Sequence, residues 1–120
     1  MDDPNEQALV VKALSDGLGG CVEWDEKSAD RVRNDSDLQG LSPRYIRAEV
    51  IRYVRAQGGQ VVQQIREKRD HWKDLYAFYY KTILPMHGFK HGLFVAMRLT
   101  GDDDPDYPEV TLVGAHPQRK

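Results

Sequence analysis

The feature that most constrains the fold is a series of strand-like segments between residues 60 and 116, separated by turn-forming residues. Residues 75–84 are rich in aromatic and β-branched side chains, which suit a half-buried pleated surface. Residues 92–100 and 109–116 follow, separated by the Asp-, Gly- and Pro-rich turn residues 101–108. Short connections favour antiparallel neighbours, so the three segments predict a meander.

Strand alternation assigns the two faces of this sheet. In residues 92–100 it places one set of apolar side chains on one face: Leu93, Val95, Met97 and Leu99. The other face receives Phe94, Ala96 and Arg98. Pro85 should end the preceding strand, because proline cannot donate to a ladder. We expect one sheet face to pack on helices and the other to be free to hold a site.

The clearest helix signal lies in residues 42–58. Ser42 suits the N-cap, Pro43 the first helical position and Gly58 the left-handed stop. One predicted face is apolar and the opposite one carries arginines, in the sets Ile46, Val50, Tyr53, Val54 and Arg44, Arg47, Arg52, Arg55. The arginine face is either simply solvated or a binding surface for phosphate or a protein.

The remaining segments complete an α+β prediction. A short helix is expected over residues 5–16, a brief strand within 19–25 and an irregular loop over 27–40. Residues 60–66 are either a fourth strand or helical. We therefore predict a single domain over residues 1–120, with an acidic helical or irregular cover (1–40) on a core helix and an antiparallel sheet of three to five strands (41–118).

Charge is distributed unevenly along the chain. Residues 1–40 carry four Lys or Arg against ten Asp or Glu, a net charge of −6. Residues 41–100 carry eleven against four, or +7, and the last twenty carry two against five, or −3. A basic middle suits a polyanionic ligand, and a solvated charged surface explains it equally well.

The sequence also indicates where the chain works. It has no apolar run approaching the roughly 20 residues that span a bilayer. The acidic N-terminus is unlike a secretory signal, and Cys21 is the only cysteine. We expect a cytoplasmic protein without a membrane partner; its oligomeric state is left open.

Candidate chemical groups cluster after residue 65. If the strand of residues 60–66 continues, Glu67 points to one face while Arg66 and Lys68 point to the other. A carboxylate beside cations suits a general base, although a charged hairpin connection is the simpler interpretation. His116 closes the last strand and suits proton transfer near neutral pH.

Metal and cofactor sites are not expected. His87 and His91 have a ligand-like spacing only if their segment is helical, and neighbouring glycines favour a loop. The alternating aspartates from Asp102 lack the glycine and glutamate of an EF-hand loop. Glycine-rich phosphate loops are also absent from the sequence.

Residues 42–118 of this chain resemble a known group of proteins. The resemblance rests on the element order, helices and then an antiparallel meander, and on the basic residues and the late histidine. The group is that of the small metal-independent endoribonucleases that include RelE-type toxins and barnase. The resemblance implies RNA cleavage with the 2′-hydroxyl as nucleophile and without a cofactor. It also implies these roles: Glu67 as base, His116 as acid, Arg69 and Arg98 as phosphate clamps, Tyr80 orienting or stacking, and Arg66, Lys68 and Arg69 binding substrate.

The alternative is a non-enzymatic interaction protein, of the immunity, antitoxin-like or adaptor kind. It would bind a protein partner through the arginine face of the helix or through the free sheet face. Proximity of Glu67, Arg69, Arg98 and His116 on one face would favour the enzyme, because acid, base and clamp must reach one phosphate.

Overall fold

The computed structural model describes residues 4–15, 22–66, 78–101, 104 and 106–119. Within these residues, three α-helices and two short 3-10 helices precede or interrupt a five-stranded sheet. In chain order the elements are α1 (Pro4–Ser15), β1 (Val22–Trp24), α2 (Glu26–Asn34), a 3-10 helix (Ser36–Leu38), α3 (Pro43–Gln57), a 3-10 helix (Gly59–Val61), β2 (Gln63–Arg66), β3 (Phe78–Met86), β4 (Phe89–Gly101) and β5 (Glu109–Pro117).

The sheet is mixed but mostly antiparallel, with strand order β1-β5-β4-β3-β2. Strands β2 to β5 are antiparallel neighbours in chain order, which confirms the predicted α+β class and the meander. β1 lies parallel to β5 at the edge, with Val22 opposite Val110. Residues 60–66, for which the sequence leaves strand or helix open, divide into a 3-10 helix and β2.

α3 forms where its capping residues predict it. The Ser42 side chain accepts a hydrogen bond from the Tyr45 amide at 3.1 Å. Pro43 begins the helix, and Gly58 ends it with a φ of 81°, a value that favours glycine. Ile46 and Val50 are fully buried, as the predicted apolar face requires.

One hydrophobic core joins all three helices to one face of the sheet. It contains Val10 and Leu14 of α1, Val32 of α2 and Val54 of α3. The sheet contributes fully or nearly fully buried side chains, including Leu84, Leu93, Val95, Met97 and Leu112. Burial of this apolar area stabilises the helix layer on the sheet.

The prediction of an irregular loop over residues 27–40 is wrong, because α2 and a 3-10 helix occupy most of this segment. Asp25 caps α2 by accepting hydrogen bonds from the Ser28 amide at 3.1 Å and the Ser28 hydroxyl at 2.9 Å. The Ser28 hydroxyl, then its amide, and the charges of nearby Lys27 and Arg31 lower the pKa of Asp25 below its ordinary value of 3.8. Polar side chains dominate this segment, but the buried Ala29 and Val32 suffice to dock the helix.

The strand end predicted at Pro85 is wrong, since β3 continues to Met86. The pairing with β4 shifts register between Leu84 and Met86, so Pro85 lies in an irregular position. A proline cannot donate to a neighbouring strand, and a bulge accommodates it without breaking a ladder hydrogen bond.

Candidate nucleic-acid interface

The sheet has a core face and a face that no described helix covers, which we call the open face. Alternation along β4 buries Leu93, Val95 and Met97 and leaves Phe94 and Arg98 partly exposed, as predicted. The open face is made of partly or fully exposed residues of three central strands: Tyr79, Lys81, Ile83, Phe94, Ala96, Arg98, Thr111, Gly114 and His116.

Two aromatic rings stack at one end of the open face. Phe94 of β4 pairs with His116 of β5, and their rings lie 4.6 Å apart between centroids at an interplanar angle of 11°. The Lys81 ammonium lies 5.8 Å from the centroid of the Phe94 ring. An exposed imidazole, an aromatic face and a cation therefore share one cluster.

The His116 imidazole has a defined orientation. Its Nδ1 lies 3.1 Å from the Pro117 carbonyl oxygen. A carbonyl oxygen only accepts hydrogen bonds, so Nδ1 donates and Nε2 is the nitrogen left to exchange a proton with a ligand.

A second cation and aromatic ring lie further along the open face. The Arg98 guanidinium lies 5.8 Å from the centroid of the Tyr79 ring. Beyond it, the hydroxyls of Thr100 and Thr111 are hydrogen bonded at 2.9 Å across β4 and β5. The face thus offers two cation–aromatic pairs.

Small residues separate the two pairs. Lys81 pairs with Ala96, and Ala96 pairs with Gly114, so the row between Phe94 and Arg98 has little side-chain bulk at its β4 and β5 positions. We call this row, with Ala96 and Gly114 at its β4 and β5 positions, the trough; it lies between the Phe94–His116 stack and the Arg98–Tyr79 pair.

Two predicted site residues, Arg98 and His116, lie on the open face. His116 is opposite Phe94, and Arg98 is four residues further along β4, about 13 Å away along the strand at 3.3 Å per residue. The two side chains share a face, but their backbones do not converge on one point, so this pair does not show the close approach that would favour the enzyme. Glu67 and Arg69 lie outside the described residues.

Tyr80 lies on the other face. It pairs with Met97 and its side chain is fully buried in the core. The role of orienting or stacking RNA that was expected of Tyr80 therefore has to be corrected, because a ligand on the open face cannot touch it. Its neighbours Tyr79 and Lys81 are the β3 residues that reach that face.

Four predicted site residues belong to the basic segment at the end of β2, and only Arg66 among them is described. Glu67, Lys68 and Arg69 lie outside the described residues. Arg66 is the last residue of β2 and pairs with Phe78. Three strand spacings and five residues of register separate Arg66 from His116, or about 20 Å between backbones.

The arginines of α3 do not form a simple outward face. The Arg47 Nε donates to the Val22 carbonyl oxygen at 2.6 Å, and the Arg55 Nε donates to that of Ser15 at 3.2 Å. Arg52 pairs with Glu49 at 3.4 Å. Two of the four guanidiniums therefore tie α3 to β1 and to the end of α1.

Metal ligands do not cluster in the described part of the chain, where no group of three His, Cys, Asp or Glu side chains could hold an ion. His87 lies in the β3–β4 turn and His91 in β4, so their four-residue spacing does not fall within a helix. No described helix is long and apolar enough to cross a membrane.

Sequence reasoning did not select Phe94 or Lys81 as site residues. The sequence of β4 shows the alternation that assigns Phe94 to the face away from the core. The pairing of Phe94 with His116, however, depends on the register between β4 and β5. Comparison with known proteins adds no candidate residue, since no family model, no curated protein and no solved structure matches this chain.

Proposed function

We propose that the protein binds RNA on the open face and cleaves it by attack of the 2′-hydroxyl. The observation that carries this proposal is the exposed Phe94–His116 stack beside Lys81, on a sheet face that no described helix covers. Unpaired bases stack on aromatic side chains, and cations beside the rings bind the phosphates between bases.

The dimensions of the open face suit a single strand. The Phe94–His116 stack and the Arg98–Tyr79 pair are about 13 Å apart along β4. The Ala96–Gly114 trough leaves room for the RNA backbone between the stack and the pair. Lys81 and Arg98 then neutralise phosphates at the two ends of the trough.

His116 is the residue to which we assign proton transfer. Its Nε2 is free of the Pro117 contact, and a protonated imidazole there donates to the leaving 5′-oxygen. Electrostatic stabilisation of the charged phosphorane by Lys81 supplies a further contribution. As the 2′-oxygen attacks the phosphorus, its proton passes to solvent hydroxide, and the 5′-oxygen leaves with the proton that His116 supplies. Glu67 lies outside the described residues, so its assignment as the base rests on the sequence alone.

The experiment measures binding and cleavage of a labelled single-stranded RNA with EDTA present. We expect 2′,3′-cyclic phosphate ends and a loss of about a hundredfold in rate for His116→Ala. Lys81→Ala should weaken binding and reduce the slope of log affinity against log salt by about 0.7, the value for one lost phosphate contact on a single strand.

The matched control is Arg52→Ala, which removes an exposed cation from the helix layer. It should leave binding and cleavage unchanged. Glu67→Ala is measured alongside: an equally large loss would restore Glu67 as the base. RNA that neither binds nor is cut would reject the proposal.

A protein-binding function is the second candidate. Ile65 and Ile83 are partly exposed, and the register places both on the open face. Apolar side chains among cations also suit a protein partner. Docking through the arginines of α3 is less favoured, since Arg47 and Arg55 already bind backbone carbonyls. Failure of RNA binding with an intact fold would select this function.

A further inference from the structure

A second charged site lies at the β1 edge. A groove of about 350 Å³ is bounded by β1, α2 and the start of α3. We call it the arginine pocket; its principal residues are Glu23, Trp24, Arg33, Pro43, Arg44 and Arg47. The Trp24 indole nitrogen donates to the Pro43 carbonyl oxygen at 2.7 Å, which fixes the indole as part of the wall.

The arginine pocket has unused hydrogen-bond donors. Arg44 is exposed and makes no ion pair with any residue in the described ranges. The Arg47 Nε donates to the Val22 carbonyl oxygen, and the terminal N–H groups of Arg47 remain as donors for a ligand. Arg33 pairs with Asp30 at 2.6 Å. Arg44 and the terminal N–H groups of Arg47 are therefore the donors available to a carboxylate in the pocket.

The turn between β4 and β5 carries the opposite charge. Residues 102–109 contain five carboxylates and no cation. The Asp104 carboxylate accepts a hydrogen bond from the Asp106 amide at 3.0 Å, and the exposed Asp106 carboxylate lies 3.8 Å from the Lys12 ammonium. Tyr107 follows with a relative exposure of 66%, more than any other large apolar residue described. We call Asp104, Asp106 and Tyr107 the acidic tip.

The acidic tip and the arginine pocket lie at the same edge of the molecule. Val22, which lines the pocket, pairs with Val110, and Tyr107 is only three residues before Val110. Because β1 and β5 are parallel and Tyr107 lies two residues before β5 begins, the two features lie at the same end of the β1–β5 pair. A two-fold axis at this edge would let two molecules exchange both contacts at once, which closes the assembly as a dimer.

We propose that two copies of this chain associate through this edge, with the acidic tip of each seated in the arginine pocket of the other. Asp104 then pairs with Arg44 of the second copy, and Tyr107 packs against its Trp24. Asp106 exchanges its exposed contact with Lys12 for the terminal N–H groups of Arg47 of the second copy. Charge complementarity selects the orientation, and the two aromatic residues supply apolar area. This interface is independent of the RNA-binding function.

The test is sedimentation equilibrium of the full chain over a range of concentrations. The wild type should show a monomer–dimer equilibrium that weakens as salt is added. Arg44→Glu and Asp104→Lys should each raise the dissociation constant tenfold or more, roughly the effect of opposing like charges in both copies of the contact. Glutamate at the second position of α3 is favourable for the helix, so Arg44→Glu should fold normally.

Mixing the Arg44→Glu and Asp104→Lys variants tests whether these two positions meet across the interface. In the mixed dimer, the carboxylate introduced by Arg44→Glu in one chain faces the ammonium introduced by Asp104→Lys in the other. The second contact keeps the wild-type pair, so association should return to the wild-type level. Lys90→Glu, an exposed charge reversal outside the arginine pocket and the acidic tip, is the control and should leave association unchanged. A wild type that stays monomeric, or a mixture that associates no better than either variant, would overturn the proposal.

Discussion

Ala96 pairs with Gly114 at the centre of the open face, and a Cβ added to Gly114 would approach only the Ala96 Cβ among the described residues, at 4.0 Å. That distance is an ordinary van der Waals contact. The position therefore has room for a side chain, and the absence of one keeps the trough open.

Gly114→Val should separate ligand binding from stability. A β-branched residue suits a strand better than glycine, so the free energy of unfolding should stay equal or rise. The added methyl groups fill the trough, and RNA affinity should fall about tenfold on the scale of a lost base–aromatic stack. Fluorescence anisotropy with labelled RNA and urea unfolding measure the two effects. An unchanged RNA affinity would mean that the bound RNA does not cross the trough.

Phe94→Leu tests stacking. Leucine keeps much of the apolar volume but removes the aromatic face, so RNA affinity should drop about fivefold or more, the value of roughly 1 kcal/mol or more per stacked base. The matched control is Phe89→Leu, because Phe89 is partly buried and packs against the core. Equal losses in both variants would indicate a general effect on the sheet.

Thr82→Val should stabilise the protein. Thr82 is 1% exposed on the core face, and its hydroxyl has no hydrogen-bond partner within the described residues. Valine has nearly the same shape without the buried polar atom, so the free energy of unfolding should rise by about 1 kcal/mol.

Urea denaturation would show this as a higher midpoint with an unchanged slope. The control is Thr111→Val, whose hydroxyl is bonded to that of Thr100 and which should give no gain. A less stable Thr82→Val would reveal a hydrogen bond of the Thr82 hydroxyl to the rest of the chain.

Asp25→Ala should destabilise α2 by about 1 kcal/mol at pH 7, the usual cost of losing an N-cap. The folded protein favours the ionised carboxylate, so the pKa of Asp25 is lower when folded than when unfolded. The contribution of Asp25 to the free energy of unfolding is complete at pH values above its ordinary pKa of 3.8. It is lost as the pH falls through the lower pKa that Asp25 has in the folded protein.

The difference between wild type and Asp25→Ala should therefore shrink in acid, which urea unfolding at several pH values would measure. Asp30→Ala is a suitable control, since it removes only an exposed pair with Arg33. A constant difference down to the lowest pH would contradict the capping role of the ionised carboxylate.

Local signals account for the parts of the fold that the sequence predicted well. Ser42, Pro43 and Gly58 bound α3 through hydrogen bonds and backbone angles within a few residues. The faces of β4 follow from the two-residue period of a strand. α2 escaped prediction because its docking depends on few apolar residues, although Asp25 followed by Ala29 and Val32 was a usable signal.

The candidate site depended on information that no local pattern contains. A one-residue shift between β4 and β5 would move His116 to the core face and separate it from Phe94. The same register buries Tyr80 and exposes Lys81. Residue types alone placed Tyr80 among the candidates, and only the pairing of strands corrected it.

The sequence by itself determined α1 and α3, the three long strands of the meander, the caps of α3 and the alternation that divides those strands into two faces. These features follow from interactions between residues close in the chain. Tertiary structure alone decided that β1 lies parallel to β5, that His116 stacks on Phe94 and that Arg47 binds the Val22 carbonyl. These contacts join residues at least 22 positions apart, and their geometry depends on how the whole core packs.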